Sequence, residues 1–202
     1  MRKTRTLDRN YFEGLYAACD DPWGFETSPY EQEKYARTLE ALGRERVKQA
    51  LEVGCSIGVL TQRLGERCDH LTATDLSPSA LKAASARCAA VRNISFRLVS
   101  SAAESFEGRF DLIVLSEVVY YWDRTDLAIV ATAIERSLAD GGRLLLVHWL
   151  GETDYPMSGD EAVSALWSRL ASPYLIERTE RTADYRLDLW RRCAKARRAS
   201  RA

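Results

Sequence analysis

Residues 50–65, ALEVGCSIGVLTQRLG, read as a short apolar strand, a glycine-rich turn and the start of a helix. No other stretch constrains the fold as strongly. A strand that turns into a helix through glycines opens a βαβ unit, and such a turn normally cradles a nucleotide-like ligand. The chain then repeats the alternation. QALEV (49–53) is the first strand, and GVLTQRLGER (58–67) follows with Val59, Leu60 and Leu64 on one helical face. HLTATD (70–75) is the second strand, and SPSALKAASARCAA (77–90) is a helix with Ser77 as N-cap and Pro78 in its first position. ISFRLV (94–99) and FDLIVLS (110–116) are strands three and four, a long helix spans 123–139 ahead of ADGG, and RLLLVHWL (143–150) is strand five.

The apolar centres of strands four and five suit a sheet covered on both faces. This pattern predicts a parallel, doubly wound sheet with ligands bound beyond the carboxyl ends of its strands. The last segment, YLIERTERTADYRLDLWRR (174–192), holds two strands joined by a few residues. So short a link permits only an antiparallel pair. Ahead of the core, a helix is expected around 8–18, and a second begins at Ser28, Pro29 and Glu31, read as a capping box.

Composition narrows the function classes. At 202 residues the chain is read as one domain, with 1–44 as a helical lid, 45–192 as the core and 193–202 as a basic tail. Basic and acidic residues balance at 29 each, but Arg191, Arg192, Lys195, Arg197, Arg198 and Arg201 cluster in a terminal stretch without an acid, read as a frayed, solvated end. The remaining body is mildly acidic, which argues against a nucleic-acid partner. Five cysteines without a C-x-x-C pair fit neither a disulfide framework nor a zinc site, and no other residue set offers a metal site. The expected setting is the reducing cytoplasm, with neither signal peptide nor membrane span.

The turn itself selects a ligand. A dinucleotide fingerprint requires G-x-G-x-x-G, but here Ser56 and Thr61 stand where the second and third glycines belong, with Gly54 and Gly58 retained. Glu52 precedes the turn and would oppose a pyrophosphate, whereas it suits an ammonium group. S-adenosylmethionine carries an ammonium and no phosphate, so the turn favours it over NAD. Asp75, at the end of the second strand and 21 residues beyond Gly54, is placed to bind ribose hydroxyls.

The set E-x-G-x-x-x-G, Asp75, FDLIVLSE and DGGRLLLV resembles class I S-adenosylmethionine-dependent methyltransferases over about residues 45–192. YFEGLYAACDDPWGFETSPYEQEKY, LEVGCSIGVLTQRL, FDLIVLSEVVYYW and HWLGETDYPMSGDEA together resemble nodulation protein S and its relatives. That resemblance implies a Rossmann-like three-layer α/β sandwich with a seven-stranded, mostly parallel sheet ending in an antiparallel hairpin. It also implies N-methylation of the free amine of a deacetylated chitooligosaccharide. An O-methyltransferase of another small metabolite is the nearest alternative. A reductase that binds NAD(P) and a silent cofactor-binding module are further ones.

The cofactor-binding candidates are Trp23, Tyr35, Glu52, Gly54, Cys55, Ser56, Gly58, Asp75, Leu76, Ser101, Ala102 and Glu117. Many class I members carry an acid after strand three for the adenine amino group. LVSSAAE offers only Ser100 and Ser101 near it, or backbone groups at Ala102. For catalysis the candidates are His148, Glu117 and Tyr120. His148 ends strand five and has a ring that titrates accessibly, so it reads as a base, a substrate ligand or a hydrogen-bonded structural residue. Glu117, Tyr120 and Tyr121 follow strand four, where they either receive a cationic amine and sugar ring or merely cap and pack. Asp154 and Tyr155 are weaker candidates for the same pocket. Glu161 is assigned to a helix cap with Ser158. Trp23 and Tyr35 read as lid aromatics, and Tyr30 as either lid or brace.

Overall fold

The structure is a computed structural model describing residues 2–194. Helices α1 (Arg9–Ala18) and α2 (Pro29–Ala41) precede β1 (Val47–Val53), α3 (Val59–Gly65), β2 (Cys68–Asp75), α4 (Pro78–Arg87) and β3 (Ile94–Leu98). β4 (Phe110–Ser116), α5 (Arg124–Ser137), β5 (Leu138–Trp149), α6 (Gly159–Trp167), β6 (Tyr174–Arg181) and β7 (Tyr185–Arg192) follow. The seven strands form one sheet in the order β3-β2-β1-β4-β5-β7-β6. The first five are parallel, and β7 inserts antiparallel between β5 and β6. This is the seven-stranded, mostly parallel sheet with a terminal hairpin that the sequence predicts.

Alternation along the strands makes the three layers. Leu51, Val53, Ile113, Leu115, Leu144 and Leu146 face one side and pack with Leu127, Ile134 and Leu166 of α5 and α6. Ala50, Leu112, Val114, Leu145 and Val147 face the other and meet Tyr35 of α2 and Leu60 and Leu64 of α3. Because both faces are covered, the central strands read as unbroken apolar runs.

The serine caps explain where several helices begin. Ser77 Oγ accepts from the Ala80 amide at 2.9 Å, and Ser158 forms a complete capping box with Glu161. At α2 the box is only half made. Ser28 Oγ accepts from the Glu31 amide at 3.4 Å, but the Glu31 carboxylate turns to Lys34 instead of back to Ser28. The helix expected over 123–139 stops at Ser137, and β5 begins at once with Leu138. Leu138 is fully buried and extended, so its side chain enters the core opposite Phe110. Residues 139–142 then bulge before Arg143 pairs with Leu112.

The terminal arginines also divide. Arg192 belongs to β7 and is buried, with Nη1 donating to the carbonyls of Leu138 at 2.6 Å and Glu135 at 2.7 Å. Arg191 lies in the same strand and pairs with Glu177 at 2.5 Å. Neither is part of a frayed end. Lys195, Arg197, Arg198 and Arg201 lie outside the described residues. Cys19, Cys55, Cys68, Cys88 and Cys193 are free thiols, and among the described residues no helix is long and apolar enough to cross a membrane.

Candidate functional site

A cavity with about 920 Å³ of unfilled space, part of it open to solvent, lies beyond the carboxyl ends of β1, β2 and β4. The turn after β1 forms its floor. The amides of Gly54 and Cys55 donate to the Thr74 carbonyl at 2.8 and 3.0 Å, fixing the turn to β2. Gly54, Ser56 and Gly58 all have positive φ, at 73°, 51° and 83°. Glycine adopts that region cheaply, whereas serine does not. Ser56 is held there by two bonds, its amide to Asp75 Oδ2 at 2.8 Å and its hydroxyl to Tyr16 Oη at 2.6 Å. The two glycines are required by the protein itself. A Cβ on Gly54 would lie 2.4 Å from Val118 Cγ1, and one on Gly58 would lie 2.8 Å from Ala84 Cα in α4.

Three acids line the cavity, each in a different electrostatic state. Glu52 on β1 is buried, and its Oε2 has no hydrogen-bond partner among the described residues. Burial pushes its carboxyl up to about 8, with Thr61 opposing and Asp75 adding to the rise. Asp75 accepts from the Ser56 amide and, through Oδ1, from the Ser77 amide at 2.9 Å. Burial raises its carboxyl, and these amides pull it back. Glu117 is only slightly exposed, and its carboxyl is held below the usual range because Lys34, with the Tyr120 hydroxyl, outweighs the desolvation.

Apolar and aromatic groups complete the walls. Leu76, Val99 and Ala102 line the side next to β2 and β3, and Val118, Tyr121 and Trp122 line the side after β4. The N-terminal segment contributes Leu7, Phe12, Tyr16, Trp23, Phe25 and Tyr35. Tyr16 meets Trp23 edge-on at 5.8 Å, and Trp23 stacks on Phe25 at 5.4 Å. Arg9 ties α1 to the same rim, donating to the carbonyls of Leu76 at 2.8 Å and Val99 at 3.0 Å. Sequence reading does not single out Tyr16, Phe12, Phe25, Arg9 or Lys34. The four-residue spacing of Phe12 and Tyr16 on α1 was a usable signal. Nothing local marks Arg9 or Lys34.

Of the sequence candidates, Trp23, Tyr35, Glu52, Gly54, Cys55, Ser56, Asp75, Leu76, Ala102 and Glu117 converge on the cavity. Gly58 and Ser101 do not line it. Gly58 sits behind the turn against α4, and Ser101 caps a short 3-10 turn with its side chain unbonded. Ser100 is likewise engaged elsewhere, its amide donating to Glu104 Oε2 at 2.7 Å.

Of its three readings as base, substrate ligand or structural residue, the structure places His148 as a hydrogen-bonded residue within the core. The ring is fully buried and lies outside the cavity lining, and Nε2 accepts from the Val119 amide at 3.2 Å. Burial lowers its pKa to about 4, so at neutral pH it is an uncharged acceptor that anchors the loop after β4. Tyr120 is not at the cavity either. It stacks on Tyr155 at 5.2 Å and donates to Glu117 Oε2 at 2.5 Å. Tyr121, its neighbour, reaches the lining instead. Asp154 is outside, paired with Lys3. Tyr30 packs edge-on against Trp149 at 5.6 Å and Tyr185 at 6.2 Å, as a brace.

The family model for nodulation protein S (NodS) matches residues 12–146. The chain belongs to the nodulation protein S family. It is 35% identical over 143 residues to Nodulation protein S of Rhizobium tropici, covering 70% of this chain and 60% of that protein. It is 33% identical over 132 residues to Nodulation protein S of Sinorhizobium fredii, covering 63% of this chain and 60% of the other. These matches thus span about 60% of the length of those NodS relatives. The solved N-methyltransferase NodS from Bradyrhizobium japonicum WM9, in complex with S-adenosyl-L-homocysteine, superposes with a TM-score of 0.77 at 26% identity. That similarity covers 91% of this chain and 97% of the other, so the fold over the matched part is the class I methyltransferase fold of the NodS structure.

Proposed function

We propose that this protein is an S-adenosylmethionine-dependent N-methyltransferase acting on the free amine of an amino sugar or a deacetylated chitooligosaccharide. The observation that carries the cofactor reading is the buried Glu52 Oε2, without a hydrogen-bond partner among the described residues, on a side chain that lines the cavity beside the glycine turn. A buried acceptor without a partner is costly, and a ligand ammonium supplies the missing donors. A pyrophosphate in the same place would face Glu52, Asp75 and Glu117 together. The donor and acceptor set therefore fits S-adenosylmethionine. Glu52 would hold the ammonium, Asp75 the ribose hydroxyls through its remaining lone pairs, and Leu76, Val99 and Ala102 the adenine faces and edge.

When bound, S-adenosylmethionine supplies a sulfonium methyl, which the acceptor nitrogen takes with its lone pair as the carbon–sulfur bond breaks and S-adenosylhomocysteine is left. The chain's own contribution is alignment and exclusion of water. Residues 1–44 act as the lid, and Tyr16, Trp23, Phe25 and Tyr35 close the cavity on that side. Aromatic faces there also favour a cation. Tyr121, Trp122 and Glu117 form the acceptor side after β4. The amino-sugar acceptor rests on the likeness to nodulation protein S.

The test is transfer of a labelled methyl from S-adenosylmethionine to chitooligosaccharides that differ only in deacetylation of the terminal amine. Label confined to the free-amine oligomer supports the proposal. Equal label on the fully acetylated oligomer moves the reaction to a hydroxyl. No label on either, with S-adenosylhomocysteine bound, overturns the acceptor and keeps the cofactor.

A further inference from the structure

Lys34 lies on α2, 83 residues from Glu117, and is 2% exposed. Its ammonium stands 2.7 Å from Glu117 Oε1 and 2.8 Å from Glu31 Oε1, and 5.1 Å from the centre of the Tyr30 ring. Glu117 Oε2 meanwhile accepts from the Tyr120 hydroxyl at 2.5 Å and the Trp149 amide at 2.9 Å. Donors from α2, from the loop after β4 and from the end of β5 thus pin one carboxylate. A carboxylate offers about four acceptor positions. Three are used, and the residue lines the cavity.

Two further features separate this cluster from a plain structural staple. Glu117 holds φ +59°, a backbone state that glutamate rarely adopts and that persists only where its surroundings over-determine it. Two carboxylates also share one ammonium, so the triad has a formal charge of −1 beside the cavity. Buried ion pairs contribute little net stability, and unbalanced ones cost it. A cation arriving in the cavity offsets that charge.

We propose that Lys34 is a positioning residue for the acceptor: it aims the Glu117 carboxylate so that its remaining acceptor position meets the amine of the incoming substrate. This rests on the amine-methylation reading above. Helix α2 thereby supplies the counter-charge for a residue of the acceptor pocket. The titratable groups facing Glu117 are Lys34, Glu31, Tyr30 and Tyr35 from α2, Tyr120 and Tyr121 from its own loop and His148 from β5. Of these, Lys34 pulls its carboxyl down most strongly, against the rise that burial imposes.

The experiment uses the full chain with Lys34→Met, Lys34→Arg, Glu31→Gln and Glu117→Gln. Calorimetry with S-adenosylhomocysteine comes first, then a carboxyl-carbon NMR titration of glutamate-labelled protein, with Glu117→Gln assigning the signal. Kinetics with a deacetylated chitooligosaccharide follow. In Lys34→Met the Glu117 signal titrates at higher pH, the acidic limb of kcat/KM moves the same way, and kcat/KM falls about 10²-fold. S-adenosylhomocysteine affinity stays within about threefold, and Lys34→Arg recovers part of the loss. An unmoved Glu117 titration, or a loss equal at every pH, overturns the proposal. If Lys34→Met does not fold, Glu117→Gln decides, because an unchanged KM for the amine overturns it equally. Failure of the methyltransferase reading shows separately, as wild-type protein that does not bind S-adenosylhomocysteine.

Discussion

Gly54 and Val118 occupy one another's space. A Cβ on Gly54 would come within 2.4 Å of Val118 Cγ1, so the turn after β1 and the loop after β4 close against each other only because the glycine has no side chain. Gly54→Ala should therefore destabilise the fold as well as weaken S-adenosylhomocysteine binding. Its φ of +73° adds about 1–2 kcal/mol for any L-residue. Val118→Ala removes the clash and leaves the strain, so the double variant recovers part of the melting temperature lost in Gly54→Ala. Thermal denaturation of the three variants checks this. No recovery would mean that the contact does not limit the turn. Gly58→Ala has no such rescue, because its Cβ would meet the backbone of Ala84.

Asp75 joins the two halves of the ligand floor through the Ser56 and Ser77 amides. Asparagine at this position can accept from only one of them and turns its amide NH₂ toward the other. Asp75→Asn should cost about 1–3 kcal/mol of stability and lower S-adenosylhomocysteine affinity. Urea denaturation and calorimetry measure the two effects independently. Wild-type values for both would remove Asp75 from the site.

Glu52, raised by burial to about 8, keeps its proton at neutral pH in the ligand-free protein. A ligand ammonium favours the ionised form, so binding releases a proton, and affinity rises with pH until it flattens above about 8. The folding linkage has the opposite slope. The folded pKa exceeds the ordinary value of 4.5, so the stability contributed by the protonated form is complete below that value and is lost as pH rises through about 8. Glu52→Gln should flatten both profiles. Binding heats measured in two buffers of different ionisation enthalpy reveal the released proton, and identical heats would sink the assignment.

His148 is expected to act as an acceptor for the Val119 amide and not as a proton carrier. Glutamine can supply a carbonyl acceptor there, so His148→Gln should keep activity within about tenfold of wild type, whereas losing a general base costs roughly 10²–10⁴-fold. His148→Ala, which orphans the amide, should lower both melting temperature and turnover. A His148→Gln enzyme as inactive as His148→Ala would restore the histidine to the chemistry.

Much of this site is legible in the sequence. Glu52, Gly54, Ser56 and Asp75 fall within or a fixed distance from one strand–turn–helix unit, and a βαβ unit places those positions together by its own geometry. The caps at Ser77 and Ser158 were readable for a similar reason, since a cap is completed within four residues. Glu31 shows the limit of such local reading. Its spacing from Ser28 is that of a capping box, but the buried ammonium of Lys34 competes for the carboxylate and wins. His148 shows the same limit at a strand end, because period-2 alternation does not reveal that its ring would turn into the core.

The alternating strands and helices, the terminal hairpin and the character of the glycine turn follow from local sequence alone. Each depends on periodicity, chain reach or backbone sterics over a few residues. Three-dimensional packing is what brings Lys34 to Glu117, Tyr16 to Ser56 and Arg9 to the carbonyls of Leu76 and Val99, and what buries Arg192 in β7. Those contacts join residues far apart in the chain. They exist because the sheet order and the packing of α1 and α2 bring particular faces together, where removal from water makes each unpaired charge or polar group seek a partner.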